Sequence, residues 1–389
     1  MTGSESERRE PRRVHRKSRN GCLICKQRRV KCDERRPICG NCAVRDRPCS
    51  YAPRPSETLI DPSLGAVSTP ASVSSGSRAV ENSGSGRSAF SEVHMVLLHH
   101  AERDLGYIMA IEGAMGPILD IAVDSASTSP FLLHQLLAIS ALHLSSVVQE
   151  EDRKSFYHHH ATNLQTRALE MFNEAKEGIS DHNYLPSFLF ATLLGIHVLR
   201  ETLKNQDQGL GNFVSAFVSY AHLHRGVRAV IAGYWPEIQE SDLKPLLYIV
   251  QHFNDADTFV KGTETRGLQT FFESNDEILS SAAKVSLEAL DWVQWMIDVR
   301  SREPTRPDVA INAVLSWPCI ISDNYIDALY QRRPEAIIVL AYYAALMHKH
   351  RTFWIFGNAG SSLVQLIALH LGPFWNQALA WPLQVLRED

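Results

Sequence analysis

Apolar residues recur at helical spacing through the chain after about residue 90. Positions i, i+3, i+4 and i+7 are repeatedly apolar there, which is typical of helices that bury one face. Glycines and prolines separate successive repeats, and continuous β-branched runs that would indicate strands do not occur. The pattern predicts a large all-α domain over residues 91–389. Its predicted helices are 91–112, 130–149, 152–176, 186–203, 211–232, 242–254, 276–300, 323–332, 335–355, 359–371 and 374–386.

Two of these helices are predicted to be surrounded by other parts of the protein. In 131–149 the few polar residues are spread around the helical wheel, and 335–347 shows the same distribution. Breaks between helices are predicted at Pro236 and at 302–307. No apolar run reaches the roughly 18 to 20 residues that span a bilayer, so we expect no membrane segment.

The first 90 residues have a different character. Residues 8–19 hold seven basic residues in twelve, so we expect a disordered basic arm over 1–20. Residues 53–90 form a Ser/Pro/Gly-rich stretch without an apolar heptad, which predicts a disordered linker and no coiled coil. Residues 21–52, between them, are predicted to form a separate small domain.

The net charge of −4 conceals two oppositely charged regions. Residues 1–55 carry 16 Lys and Arg against 6 Asp and Glu, a net charge of +10, whereas the remainder carries a net charge of −14. A basic N-terminal region suggests a polyanionic partner. The N-terminus also lacks the apolar segment of a signal peptide, so we expect an intracellular protein with reduced thiols.

Six of the seven cysteines lie close together, and their spacing C-x2-C-x6-C occurs twice. In a reducing compartment such clustering indicates metal binding rather than disulfides. Tetrahedral Zn²⁺ takes four ligands and binds thiolates well. One site would leave two cysteines over and two separate sites would need eight, but six thiolates suffice for two Zn²⁺ ions if two sulfurs bridge. The candidate ligands are Cys22, Cys25, Cys32, Cys39, Cys42 and Cys49.

This region resembles the fungal zinc binuclear cluster DNA-binding domain over about residues 20–51. The cysteine spacing, the basic stretch KQRRVK between the second and third cysteines, and Pro37 before the fourth carry the resemblance. It implies a small domain of short helices and loops that holds two Zn²⁺ ions, with Cys22 and Cys39 as bridging ligands. It also implies double-stranded DNA as the partner, with the C-terminal end of a helix in the major groove over a C/G-rich triplet.

The basic residues around the cluster are predicted to divide into two groups. The resemblance places the base-contacting pair at Arg28 and Arg29. On a helix that opens at Cys25, Lys26 and Lys31 share their outward surface, while Val30 packs inward. Arginine can bond O6 and N7 of guanine together, which discriminates between bases. Residues better suited to phosphates are Arg16, Lys17, Arg19, Arg35, Arg36 and Arg45.

The helical region carries a second resemblance, to the fungal transcription-factor domain of the sterol-uptake-control type. The segments PFLLHQLLAISALHLSS (130–146), RRPEAIIVLAYYAALMH (332–348) and FWNQALAWPLQVL (374–386) carry it. It implies an all-α regulatory domain. In the sterol regulators of that family an apolar cavity binds ergosterol, so the resemblance implies an apolar small-molecule ligand without assigning its residues.

Enzyme signatures do not occur in the sequence, and we expect no catalytic residues. There is no nucleotide-binding glycine loop after a strand, no H-E-x-x-H and no G-x-S-x-G. Histidine pairs such as His99 with His100 do not face one another on a helix, so no second metal site is expected. Cys319 is predicted to be a core thiol rather than a nucleophile.

Together these features predict a nuclear, zinc-dependent, sequence-specific transcription factor of RNA polymerase II genes that regulates a sterol or secondary-metabolite pathway. The helical domain would supply homodimerisation, a ligand response or contact with the transcription machinery. Two alternatives stay open. In one, the zinc cluster is a protein-interaction module on a scaffold, and in the other, the helical domain is a module that binds a sterol or another apolar ligand.

Overall fold

The computed structural model describes residues 22–28, 30–35, 39–44, 49, 90–113, 115–175, 178–254, 261–274 and 281–388. The chain divides into two compact units between residues 85 and 86. The cluster unit contains the described residues up to Cys49, and the body contains those from Phe90 onward. The predicted basic arm and the predicted linker up to residue 89 lie outside the described residues.

The cluster unit contains two short helices, α1 (Leu23–Gln27) and α2 (Gly40–Ala43). A cysteine with extended backbone precedes each helix and forms its N-cap, Cys22 for α1 and Cys39 for α2. The buried side chains of the described part of this unit are cysteines, with Ile24 partly buried against them. Sulfur atoms therefore take the place of an apolar core, and the stability of the unit depends on what they bind.

The described residues of the body form α-helices joined by turns and short 3-10 segments, without a strand. The prediction of a large all-α region is confirmed. The helices are α3 (Glu92–Met109), α4 (Gly116–Asp124), α5 (Pro130–Val147), α6 (Glu151–Glu174), α7 (Tyr184–Lys204), α8 (Leu210–Ile231), α9 (Trp235–Glu240), α10 (Tyr248–Asn254), α11 (Arg266–Glu273), α12 (Ser281–Arg302), α13 (Pro307–Ile320), α14 (Asp323–Tyr330), α15 (Pro334–Lys349), α16 (Ala359–Leu371) and α17 (Ala380–Val385).

Helix α15 forms the centre of the body. Every residue from Glu335 to His348 is buried, and α12, α13, α14, α16 and α17 pack around the helix. Gly360 on α16 permits a close approach, because a Cβ there would lie 2.5 Å from the carbonyl oxygen of Ala344 and from the amide nitrogen of His348. The prediction that this helix is surrounded by protein is confirmed.

Helix α5 is enclosed in the same way. All residues from Gln135 to His143 are buried, and α3, α6 and α7 pack against the helix. With 18 residues and a mean hydropathy of 1.3, α5 is long and apolar enough to cross a membrane by length and composition. The expectation that no segment reaches that length is therefore wrong. Since 61% of the segment is buried inside the body, α5 has the burial of a core helix.

Three helices with a proline in their first turn lie in segments that the sequence pattern left without a helix. Pro117, Pro236 and Pro307 lie in the first turn of α4, α9 and α13. Amides of the first turn have no partner inside the helix, and the fixed φ of proline suits this position. The breaks at Pro236 and 302–307 are thus real boundaries, but each also starts a helix. Helices α4, α9, α11 and α13 are absent from the predicted set.

Helix α13 contains a further proline, Pro318, in its last turn. Because proline has no N–H, the carbonyl of Val314 one turn earlier has no helical partner. The hydroxyl of Tyr343 on α15 donates to that carbonyl at 3.2 Å. The ring of Trp317 stacks on the ring of Tyr343 with centroids 4.2 Å apart. Contacts with α15 therefore stabilise a helix that its own sequence disfavours.

Candidate zinc cluster and nucleic-acid interface

The cysteines that the sequence nominates as ligands converge in the cluster unit. The sulfur of Cys22 lies 3.7 Å from that of Cys39 and 3.8 Å from that of Cys42. The sulfurs of Cys25 and Cys39 are also 3.7 Å apart. Ligand sulfurs around a tetrahedral Zn²⁺ with Zn–S bonds of about 2.3 Å lie about 3.8 Å apart, whereas a disulfide needs about 2.05 Å. The sulfurs therefore have the spacing of ligands that share a metal.

The sulfurs form two groups of four, and within each group all sulfurs lie within 4.8 Å of one another. Cys22 and Cys39 belong to both groups, and both are fully buried. This sharing fits two tetrahedral Zn²⁺ ions bridged by these two sulfurs. The groups are Cys22, Cys25, Cys32 and Cys39, and Cys22, Cys39, Cys42 and Cys49.

Main-chain amides donate to the sulfurs in a pattern that follows the sequence repeat. The amide of Cys22 donates to the sulfur of Cys32 at 3.4 Å, and the amide of Cys39 donates to the sulfur of Cys49 at 3.3 Å. Each bond joins the first and third cysteine of one repeat. An N–H that points at a sulfur favours the thiolate, the form that binds metal. The two repeats therefore share one backbone arrangement around their sulfurs.

Burial disfavours the ionised form of these thiols unless a cation accompanies them. It raises the pKa of Cys25 to about 12 and raises the pKa of Cys39 and Cys42 above that of an ordinary thiol. The pKa of Cys22 is instead lowered to about 6, because hydrogen bonds from the amide of Cys25 and from neighbouring thiols stabilise its thiolate despite burial. A cluster of thiolates this close therefore requires positive charge among the sulfurs, which Zn²⁺ supplies.

Basic residues surround the C-terminal end of α1. Lys26 lies in its last turn, Arg28 is its C-cap, and Lys31 follows in a segment outside the helices. All three residues are exposed. The negative end of the helix dipole stabilises cations at this end. The structure thus brings three of the predicted DNA-contacting residues together at the end of one helix.

Two local predictions about this segment are wrong. Helix α1 begins at Leu23, directly after the capping residue Cys22, rather than at Cys25. Val30 is 39% exposed and does not pack inward. The helix ends at Gln27, before Val30, and the interior of so small a unit is filled by sulfur.

Other predicted contact residues are not placed by the structure. Their assignment to bases or phosphates therefore stays a prediction. The residues outside the described ranges are Arg16, Lys17, Arg19, Arg29, Arg36 and Arg45.

The second repeat presents different side chains at matching positions. Ala43 and Val44 follow Cys42 where Lys26 and Gln27 follow Cys25, and Val44 is 86% exposed. Over the six residues between the second and third cysteine, the first repeat has four basic residues and no acidic one. The second repeat has two basic residues and one acidic residue. The two repeats therefore share a backbone arrangement, but the basic side chains are concentrated on the first repeat.

Two polar contacts that join the repeats are not apparent from the sequence. Both carboxylate oxygens of Asp33 accept the amide N–H of Gly40, each at 3.1 Å. The side-chain amide of Asn41 donates to the carbonyl of Lys31 at 2.6 Å. An aspartate after one cysteine and an asparagine before another give no signal that their segments meet.

Histidines of the body meet across helices rather than within them. His100 on α3 and His143 on α5 stack, with Nε2 and Nδ1 2.9 Å apart, and Asp104 lies 2.8 Å from the other nitrogen of His100. Burial and the neighbouring His100 lower the pKa of His143 to about 4. Cys319 is partly buried on α13. Within the described ranges, groups of three or more possible metal ligands occur only among the clustered cysteines.

One groove of the body is polar. It has a volume of about 530 Å³, and α4, the turn after it and the start of α7 contribute to its walls. Four of its lining side chains are carboxylates, Asp120, Asp124, Asp181 and Asp242. A sterol-sized ligand is usually held by a mostly apolar pocket. This groove therefore does not suit the apolar ligand that the sequence resemblance implies.

Two family models match the sequence. The fungal Zn(2)-Cys(6) binuclear cluster domain matches residues 20–58, which include all six clustered cysteines. The fungal specific transcription factor domain matches residues 99–285, from within α3 to within α12. The chain therefore contains a fungal Zn(2)-Cys(6) cluster domain, which binds two Zn²⁺ ions, and a fungal specific transcription factor domain.

Similar proteins fall into two kinds. A Zn(2)-C6 fungal-type transcription factor of Gibberella zeae is 24% identical over 439 residues, which cover 96% of this chain and 87% of the relative. The Zn(2)-C6 fungal-type transcription factor afumD of Aspergillus fumigatus is 28% identical over 350 residues, 86% of each chain. Sterol uptake control protein 2 of Candida albicans is 54% identical over 50 residues, 13% of this chain and 7% of the relative. Similarity extends through the body in the first two and covers a short segment in the third.

Proposed function

We propose that this protein recognises C/G-rich triplets in double-stranded DNA through the first repeat of its zinc cluster. The observation that supports this proposal most directly is the unequal charge of the two repeats. In the described part of the cluster unit, exposed Lys26, Arg28 and Lys31 surround the end of α1, while the end of α2 presents Ala43 and Val44. A helix fits the major groove, where each base pair offers a distinct set of donors and acceptors.

The chain's residues take separate roles in this mechanism. The six clustered cysteines would hold the two Zn²⁺ ions, which supply positive charge and a fixed scaffold. Arg28 and Arg29 would contact guanine edges, and Lys26 and Lys31 would lie beside them. Arg16, Lys17 and Arg19 would bind phosphates, which strengthens binding to every sequence alike.

The body is, in this proposal, a regulatory module and not an enzyme. It would allow two copies of the chain to associate and would contact the transcription machinery. The protein would act in the nucleus on RNA polymerase II genes. The all-α body supports these roles, because its helices enclose a continuous apolar core.

The regulated genes belong, in this proposal, to a metabolic pathway. One relative is named for sterol uptake control, but its match covers 13% of this chain. The two relatives that match through the body are named for transcription alone. The support for sterol control is therefore limited to similarity over a short segment. The polar groove does not favour a body that binds a sterol.

Selection from random double-stranded DNA with the zinc-loaded full-length chain tests the proposal. We expect enriched sites that contain a C/G-rich triplet. Arg29→Ala should lower affinity for the selected site by about 10- to 100-fold and relax the preference, as expected for a lost bidentate guanine contact. Arg16→Ala should lower the affinity for every sequence by the same small factor. It should also reduce the slope of log affinity against log salt concentration by about one, the contribution of one phosphate contact.

Arg16→Ala is the matched control for Arg29→Ala, since each removes one positive charge. Equal losses on selected and random DNA for Arg29→Ala would contradict a role in base recognition. A selection that enriches no triplet would favour a protein-interaction scaffold instead.

A further inference from the structure

The two repeats of the cluster unit are joined by contacts that do not involve sulfur. Asp33 directly follows Cys32, and its carboxylate accepts the amide N–H of Gly40, the first residue of α2, at 3.1 Å from both oxygens. In the other direction, the side chain of Asn41 donates to the carbonyl of Lys31 at 2.6 Å. The segment 30–35, which lies outside helices, is therefore joined at two neighbouring points to the start of α2.

Gly40 has the shape that the contact with Asp33 requires. A Cβ at this position would lie 2.8 Å from Oδ2 of Asp33, closer than a carbon and an oxygen pack without a bond. Any other residue would displace the carboxylate. Since glycine is otherwise a poor helix residue, the close approach of Asp33 supplies a physical reason for glycine at the first position of α2.

The zinc ligands alone leave part of the DNA-facing segment without an anchor. Cys25 and Cys32 are the fixed points on either side of the six residues 26–31. Lys31 is adjacent to the second fixed point, and its carbonyl receives the bond from Asn41. Asp33 adds a fixed point on the far side of Cys32. The amide of Val30 also donates to the carbonyl of Cys25 at 3.1 Å, so the direction in which the chain enters Cys32 is set by this bond together with the contacts with the second repeat.

We propose that Asp33 is a positioning residue for DNA recognition, which holds the segment carrying Arg28 and Lys31 in a fixed orientation relative to the second repeat. The inference rests on the proposed function, because it concerns the residues assigned there to base contacts. Asp33 acts through the backbone of this segment and does not itself contact DNA.

The negative charge of Asp33 allows a positioning role to be distinguished from a purely electrostatic effect on DNA binding. The side chain of Asp33 is 39% exposed and lies 3.7 Å from the guanidinium of exposed Arg35, so its negative charge offsets a positive charge that would attract phosphates. Removal of a carboxylate with no structural role should therefore strengthen binding to all DNA. Glu34 is the matched control, because it is the next residue, carries the same charge and is exposed.

The test uses full-length variants loaded with zinc, on the site that the wild-type chain selects and on random duplex DNA. Asp33→Ala should lower affinity for the selected site about tenfold, the size expected for lost hydrogen bonds to a charged group. Its affinity for random DNA should stay equal or rise slightly. Glu34→Gln should raise affinity for both DNAs by up to about threefold. Metal analysis should find two zinc ions per chain in each variant.

Gly40→Ala provides an independent arm of the test. In the wild-type chain it should weaken binding to the selected site, because the added Cβ displaces the carboxylate of Asp33. In the Asp33→Ala chain the same substitution should have no further effect, since the displaced group is already gone. The two substitutions should therefore be non-additive, as expected for residues in direct contact.

Three results would overturn the proposal. These are Asp33→Ala binding the selected site within twofold of the wild-type chain, loss of zinc from that variant, and additive effects of the Asp33 and Gly40 substitutions. Loss of zinc would assign Asp33 to metal retention rather than to positioning. A wild-type chain that selects no site would contradict the proposed function itself, which is a separate outcome.

Discussion

The cluster unit and the body are stabilised by different means. The buried side chains of the cluster unit are cysteines at fixed spacing, whereas the body has a continuous apolar core around α15. Metal ligands permit no substitution, but a core accepts other apolar residues of similar size.

Removal of zinc should show the difference between the two regions most clearly, because only the cluster unit depends on the metal for its fold. A chelator should unfold the cluster unit, because binding of metal by the sulfurs takes the place of a core there. We expect DNA affinity to fall by at least about 100-fold, as measured by titration of a labelled site. The helical circular dichroism of the body and its thermal transition should stay nearly unchanged, and added zinc should restore binding. Tight binding by the zinc-free chain would contradict this view.

A substitution in the core should have the opposite effect. Trp317 is fully buried and stacks on Tyr343, so Trp317→Ala should lower the free energy of unfolding of the body by about 3 to 5 kcal/mol. The variant should keep two zinc ions and, while folded, bind DNA within twofold of the wild-type chain. Urea unfolding followed by circular dichroism measures the loss. Phe374→Ala, at a side chain 72% exposed, is the control and should change stability little.

Acid should weaken the body through its buried histidines. His197 is 1% exposed, and burial lowers its pKa to about 4, while an unfolded histidine titrates near 6.5. Between these values the unfolded chain binds a proton that the folded body does not. The contribution of neutral His197 is therefore complete above about pH 6.5 and is lost as the pH falls toward 4, by up to about 3 kcal/mol.

Urea unfolding of the wild-type chain and of His197→Asn at several pH values measures this effect. The variant should show a smaller loss of stability between pH 7 and pH 5. His99→Asn, at a side chain 68% exposed, should leave the pH dependence unchanged. Residues 22–49 contain no histidine, so this effect belongs to the body. An unchanged pH dependence in His197→Asn would contradict it.

The zinc cluster was more predictable from sequence than any contact around it. Cysteine spacing is a direct consequence of ligand geometry, and the sulfur distances agree with it. The contact between Asp33 and Gly40 could not be predicted in the same way. It depends on the path of the backbone between two segments, which neither residue type nor spacing specifies.

Helices of the body were predictable where their own residues favour them. The apolar segments of α5 and α15 correctly predicted both helices and their burial. Helix α13 was not predictable, because a proline such as Pro318 disfavours a helix. The carbonyl of Val314, which Pro318 leaves without a helical partner, accepts a hydrogen bond from Tyr343, 29 residues further along the chain.

The enclosure of α15 has a consequence for the order in which the chain folds during synthesis. Helices α16 and α17 cover part of its surface and follow it in the chain, so the body cannot close until α17 has left the ribosome. The cluster unit needs residues 22–49 and zinc. Because N-terminal domains generally fold first during translation, we expect the DNA-binding unit to capture its metal while the central helix of the body is still open to chaperones and proteases.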